Sequence, residues 1–295
     1  MHSPRTLPRF SLDWGIATLL AVLYGPLLLH WVDGWLNKSI SIQHEYFSHG
    51  MIGLPFAAYI TWTKRQEWQR LPNQCHPLGL GLVVMAGLMY ATRLTDWMNL
   101  SLPVMLAGLC LCLKSTAGLR LQAISLILVA LATPTQLPYL IEPYILPLQR
   151  FIAAIAGFLL TQAGVSVTVE QIYLYVNDQT VEVAPHCAGL KILFTSLYVA
   201  IMLAYWTGLY TSRLRLGLFF GGTVLISVVG NILRNALLSY FHGMGYSGAF
   251  VWLHESWGGD LYSALMLLSL IGLLRLIRRW VPETLTLAIQ TPSSV

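Results

Sequence analysis

Cys187, Arg234 and His254 are the residues of this chain whose types suit acyl-transfer chemistry. A thiolate attacks a carbonyl where a thiol does not. A guanidinium hydrogen-bonds an oxyanion or a carboxylate. An imidazole, which titrates near neutrality, takes or gives the proton. Cys187 stands in APHCAGL, directly before the apolar run KILFTSLYVAIMLAYW, and the other two lie far along the chain. Whether the three act together depends on the elements that carry them.

Those elements are membrane helices. Of 295 residues, 56% are hydrophobic and 10% charged, with a mean hydropathy of +0.64. A soluble domain carries about 25% charged residues, so this chain is an all-α integral membrane protein. Runs near the length of a bilayer core cover about 14–32, 49–63, 77–93, 98–113, 118–133, 187–207, 215–238 and 258–276, a bundle of about eight spans. A further apolar region, 138–164, is interrupted by Pro138, Pro143, Pro147 and Arg150 and reads as interfacial or re-entrant. Residues 165–183 alternate and are rich in β-branched types, with Asn177-Asp178 as a turn, so they predict a small β-hairpin before the Cys187 helix. Residues 1–282 form one membrane domain and 283–295 a polar tail.

Charge sets the orientation. With the N-terminus in the cytoplasm and 134–186 outside, 12 of 17 basic residues fall inside and nine of 12 acids outside, as the positive-inside rule requires. The net charge of +5 belongs to this bias, and no basic tract suits nucleic acid. Cys187 then starts its span at the outer boundary. Arg234 lies 19 residues beyond Arg215, about 30 Å of helical rise and one bilayer core. His254 sits in the outer loop before the last span. All three converge on one outer rim. A cysteine at a helix N-terminus has its thiolate favoured by the dipole. Gly189 would let a substrate backbone approach. Asn231, one turn before Arg234, either orients it or bonds a neighbouring helix. An ionisable residue this close to hydrocarbon marks function by default.

Other motifs carry less. His44, Glu45 and His49 in HEYFSH invite a zinc-protease reading, but the histidines are five apart where the motif needs four. Ser48 and His49 better suit shaping of the outer rim or the substrate path. Ser247 in YSGAF lacks the GxSG context of a serine protease, His186 is turned elsewhere on its helix, and Cys110 and Cys112 sit within an apolar run as structural thiols. Without a CxxC pair, zinc and thioredoxin-type chemistry are disfavoured, and no cofactor or metal is called for. A transporter or lipid-binding protein would show mid-span charges and an internal repeat, and few and none are found. A polyprenyl-linked sugar transferase would want charged clusters for a pyrophosphate.

The motif order YFSHG (46–50), CAGL (187–190), NILRNALL (231–238) and HESWG (254–258) resembles the exosortase/archaeosortase family, with a leaning to the cyanobacterial branch. The resemblance runs from about residue 46 to 276. It implies a multi-pass cysteine protease/transpeptidase of the plasma membrane, with the active site on the outer face. The family's cysteine, arginine and histidine map onto Cys187, Arg234 and His254. Its partners would be exported proteins with a C-terminal sorting signal, made of a Pro-Glu-Pro motif, a transmembrane helix and a basic tail. Cleavage near the motif would form a thioester and pass the protein to an acceptor. Members often have serine after the cysteine, and here Ala188 removes that hydroxyl.

Overall fold

The computed structural model describes residues 10–36, 46–177, 179–183 and 189–281. These residues divide between two compact units, Met1–Thr135 and Gln136–Val295. The polar tail lies outside the described residues.

The first unit holds α1 (Phe10–Leu36), α2 (Gly50–Thr63), α3 (Arg65–Arg70), α4 (Pro77–Ala91), α5 (Thr95–Leu121) and α6 (Ala123–Ala132). α4 and α5 run antiparallel in close contact because glycine faces backbone at two levels. A Cβ on Gly79 would lie 2.7 Å from the Cys112 amide nitrogen, and one on Gly108 2.9 Å from that of Val83. Small residues let membrane helices approach this way. Buried polar groups then fix α1 against the pair. Trp31 Nε1 donates to Asn99 Oδ1 at 2.8 Å, and Asn99 Nδ2 donates to the Pro134 carbonyl at 3.0 Å. Such bonds matter where no water can satisfy the groups.

The 98–113 segment is helical as the sequence predicts, but α5 continues past it through a kink at Lys114 and Ser115, where Ser115 has φ +55°. Lys114 explains the kink. Its ammonium is buried and donates to the Leu71 carbonyl at 2.7 Å and to Asn73 Oδ1 at 2.6 Å. The 118–133 segment is two pieces that meet at Gln122, where the backbone leaves helical geometry.

The second unit begins with a short helix α7 (Leu137–Ile141) and a 3-10 turn (Glu142–Tyr144), followed by α8 (Leu146–Gln162). Pro147 lies in the first turn of α8, where its missing N–H costs nothing. Arg150 does not break the helix, and it donates to Gln171 Oε1 at 2.7 Å. Next come β1 (Val167–Glu170), β2 (Tyr173–Val176) and β3 (Gln179–Glu182), then α9 (Leu190–Trp206), α10 (Arg213–Gly243), α11 (Ser247–Glu255) and α12 (Trp257–Trp280). The expected hairpin is a three-stranded antiparallel sheet in the order β1-β2-β3. The extra turn escapes a sequence reading because Gln171, not glycine or asparagine, takes the positive φ of +60°.

α10 is the spine of this unit. α9 and α12 pack antiparallel to it. At one end Phe219 meets Ala200, Ala204, Leu274 and Ile277 in a buried cluster. At the other end a Cβ on Gly243 would meet Val176 of the sheet. The inward face of the sheet, with Leu174 and Val176 fully buried, lies against α8 and α10.

Among the described residues, four helices are long and apolar enough to cross a membrane: Gly15–Leu36, Thr95–Leu121, Arg213–Gly243 and Trp257–Trp280. The apolar helices Pro77–Ala91, Ala123–Ala132, Leu146–Gln162 and Leu190–Trp206 are shorter. At 1.5 Å per residue, even 17 residues rise only about 25 Å against a core of about 30 Å. The chain is thus a multi-pass membrane protein.

Candidate active site

The sheet end of α10 is where the candidate residues gather. Asn231, Asn235, Leu238 and His242 recur at helical spacing and share one face of α10. Asn235, Leu238 and His242 form one wall of a cavity of about 180 Å³. Phe250 and His254 of α11, one turn apart, form another, and β3 borders the third side through Thr180, Val181 and Glu182. The Phe250 ring stacks on His254 at 5.3 Å and 10° and meets His242 at 5.0 Å. Stacking holds the His254 imidazole in a fixed plane, half-buried beside the cavity.

Arg234 is half-buried on α10 but does not line the cavity. Its guanidinium reaches the α11–α12 junction. A Cβ on Gly259 would lie 3.9 Å from Arg234 Nη2 and 3.0 Å from the carbonyl of Leu253, the residue before His254. Gly259 keeps this approach open. The fold therefore brings the Arg234 guanidinium to the junction that follows the His254 helix.

Cys187, with His186 and Ala188, lies outside the described residues. The chain resumes at Gly189, which takes φ +84° and caps α9. A side chain there would strike the Asn231 carboxamide, with its Cγ 2.6 Å from the position of Cβ. The space where a side chain would stand on Gly189 is therefore filled by Asn231. Asn231 is 1% exposed, and neither its oxygen nor its nitrogen has a hydrogen-bond partner among the described residues. Among the described residues it bonds neither Arg234 nor a neighbouring helix. A buried amide with both atoms unsatisfied costs stability and calls for an explanation in function.

His49 and Ser48 belong to the first unit. His49 is buried, and its Nε2 lies 3.1 Å from the Leu131 carbonyl of α6. It joins α2 to α6 with its side chain buried. His44 and Glu45 lie outside the described residues. No group of three metal-ligating side chains is found among the described residues.

Of the residues that line the cavity the sequence reading singles out only His254, and it misses Asn235, His242 and Phe250 among the others. The signal existed in the helical stripe from Asn231 to His242 and in the one-turn spacing of Phe250 and His254.

The same part of the chain carries the match to known proteins. The transmembrane exosortase family (Exosortase_EpsH) matches residues 31–271. The chain belongs to this family. The matched range of the exosortase holds every element of the site, from β3 through α10 and α11 to the start of α12. No curated protein and no solved structure matches the chain.

Proposed function

We propose that this exosortase is a membrane-embedded cysteine transpeptidase that cleaves C-terminal sorting signals of exported proteins and transfers the product to an acceptor. The observation that carries the reading is the family match over 31–271, with Arg234 reaching the α11–α12 junction that follows His254. The signal is of the Pro-Glu-Pro type, followed by a transmembrane helix and a basic tail. The chain crosses the plasma membrane about eight times, and the site faces outward.

Cys187 is the nucleophile. Its thiolate attacks the scissile carbonyl, and the carbonyl electron pair moves onto oxygen. Arg234 donates to that oxyanion or to a carboxylate of the substrate. Collapse expels the amine, which leaves with a proton from His254, and the acyl group stays on sulfur as a thioester. His254, now neutral, takes a proton from the acceptor nucleophile, which attacks the thioester and returns the thiolate. Ala188 offers no hydroxyl, so the chain relies on Arg234 and backbone donors. Asn231 supports the site as a buried amide beside Gly189.

The test is processing of a tagged substrate in cells. Cys187→Ala and Cys187→Ser abolish cleavage, and unchanged processing overturns the reading. Arg234→Lys keeps the charge but loses the planar fork, so processing falls about a hundredfold, the scale of one lost oxyanion donor. His254→Gln has an effect of the same order.

A further inference from the structure

We propose that the substrate binds as a fourth strand on the free edge of β3, with its backbone paired to Thr180 and Glu182. The inference deepens the function proposed above and rests on it. It starts from the register. Two residues separate β2 from β3, and Val176 pairs with Gln179, Leu174 with Val181 and Tyr173 with Glu182. In a two-residue hairpin the pair closest to the turn exchanges hydrogen bonds, and exchange then alternates along the ladder. Gln179 and Val181 therefore bond β2. The next residue of that parity confirms the phase, because the Val183 amide donates to the Ile172 carbonyl at 2.8 Å. The N–H and C=O groups of Thr180 and Glu182 point the other way, and no strand pairs with β3 on that side among the described residues.

The cavity lies along this edge. Strand side chains alternate between faces, so a cavity on one face meets every second residue. This one meets Thr180, Val181 and Glu182 in succession, as a cavity along the edge does. A wider cleft of about 460 Å³ continues past Gln179 and shares His242 with the cavity. The whole of β3 thus borders an open path. α10 lines it with Asn235 and His242, and His254 stands on the α11 wall. An edge that presents donors and acceptors at every second residue is matched by extended main chain. A helix has already spent those groups, and a lipid tail has none.

The edge also suits the chemistry of the proposed signal. In an extended Pro-Glu-Pro segment both prolines point their nitrogens to one side, and neither has an N–H. The middle residue points its N–H and C=O to the other side. Such a segment pairs through the glutamate alone and leaves an outer edge that cannot recruit another strand.

The test uses full-length Cys187→Ala protein in lipid nanodiscs and a fluorescent peptide with Pro-Glu-Pro in a neutral context. Backbone amides are replaced by esters one at a time, which deletes single N–H donors. Affinity falls about three- to tenfold for an ester at the glutamate and at the residue two before it, the scale of one hydrogen bond. It is unchanged for an ester three before the glutamate. Thr180→p-benzoylphenylalanine captures the peptide on illumination, and Thr168→p-benzoylphenylalanine on β1 does not. Equal affinities across the series overturn the inference, as does capture at residue 168 without capture at residue 180. A parent peptide that wild-type enzyme processes but the nanodisc protein does not bind also overturns it. A parent peptide neither bound nor processed overturns the functional reading beneath it.

Discussion

Asn231 and Gly189 show how single residues set the site. Gly189 is constrained twice, by a backbone at φ +84° and by the Asn231 carboxamide 2.6 Å from where its Cβ would stand. Gly189→Ala should therefore cost about 1–3 kcal/mol. Part of that cost is strain and part is collision. Asn231→Ala removes only the collision, so the double variant should melt above Gly189→Ala alone. The coupling is expected at about 1 kcal/mol in a double-mutant cycle on purified protein in detergent. Additive effects would show that the two residues do not touch. Phe250 acts on a second residue. Its ring fixes the plane of the His254 imidazole, so Phe250→Ala should lower the rate of processing more than it lowers substrate binding, and Phe250→Tyr should restore it.

At the scale of elements, the α4–α5 crossing is held by glycine against backbone. Gly79→Val should lower thermal stability by about 1–3 kcal/mol, because a helix rather than a side chain must move. Gly81→Val, two residues on, meets nothing within 4 Å and is the control. Equal losses would mean that helix propensity, not the crossing, sets the effect. These elements were legible in the sequence to unequal degrees. Long apolar runs gave α1, α10 and α12 close to their bounds, because bilayer length and hydropathy are written directly in composition. The place of Arg234 toward the sheet end of α10 followed from counting helical rise from Arg215. The kink at Lys114 was not legible, since it depends on the distant carbonyl of Leu71. The third strand was not legible either, because Gln171 carries a turn that its type does not advertise. The cavity wall from Asn235 to His242 was present in the spacing, but polar residues on a membrane helix gain meaning only once β3 and α11 are seen beside them.

For the whole molecule, charge gives a proposed orientation, and the second unit gives it a scale. Arg215 is buried at one end of α10, where its Nε donates to the Val281 carbonyl at 2.7 Å. The sheet covers the opposite end, about 40 Å away by helical rise. We propose from the basic bias that the sheet faces outward. A membrane-impermeant maleimide should label Thr180→Cys in intact cells and reach the exposed Cys75 only after permeabilisation. The reverse pattern would invert the topology and place the site in the cytoplasm. The central claim is that Cys187 carries the substrate as a thioester. Its most direct measurement is isolation of the enzyme with a tagged substrate under denaturing, non-nucleophilic conditions, followed by hydroxylamine. The account expects a covalent adduct that hydroxylamine releases, present in wild type and absent in Cys187→Ala. Substrate processing that continues in Cys187→Ala, with no adduct on either protein, would contradict it.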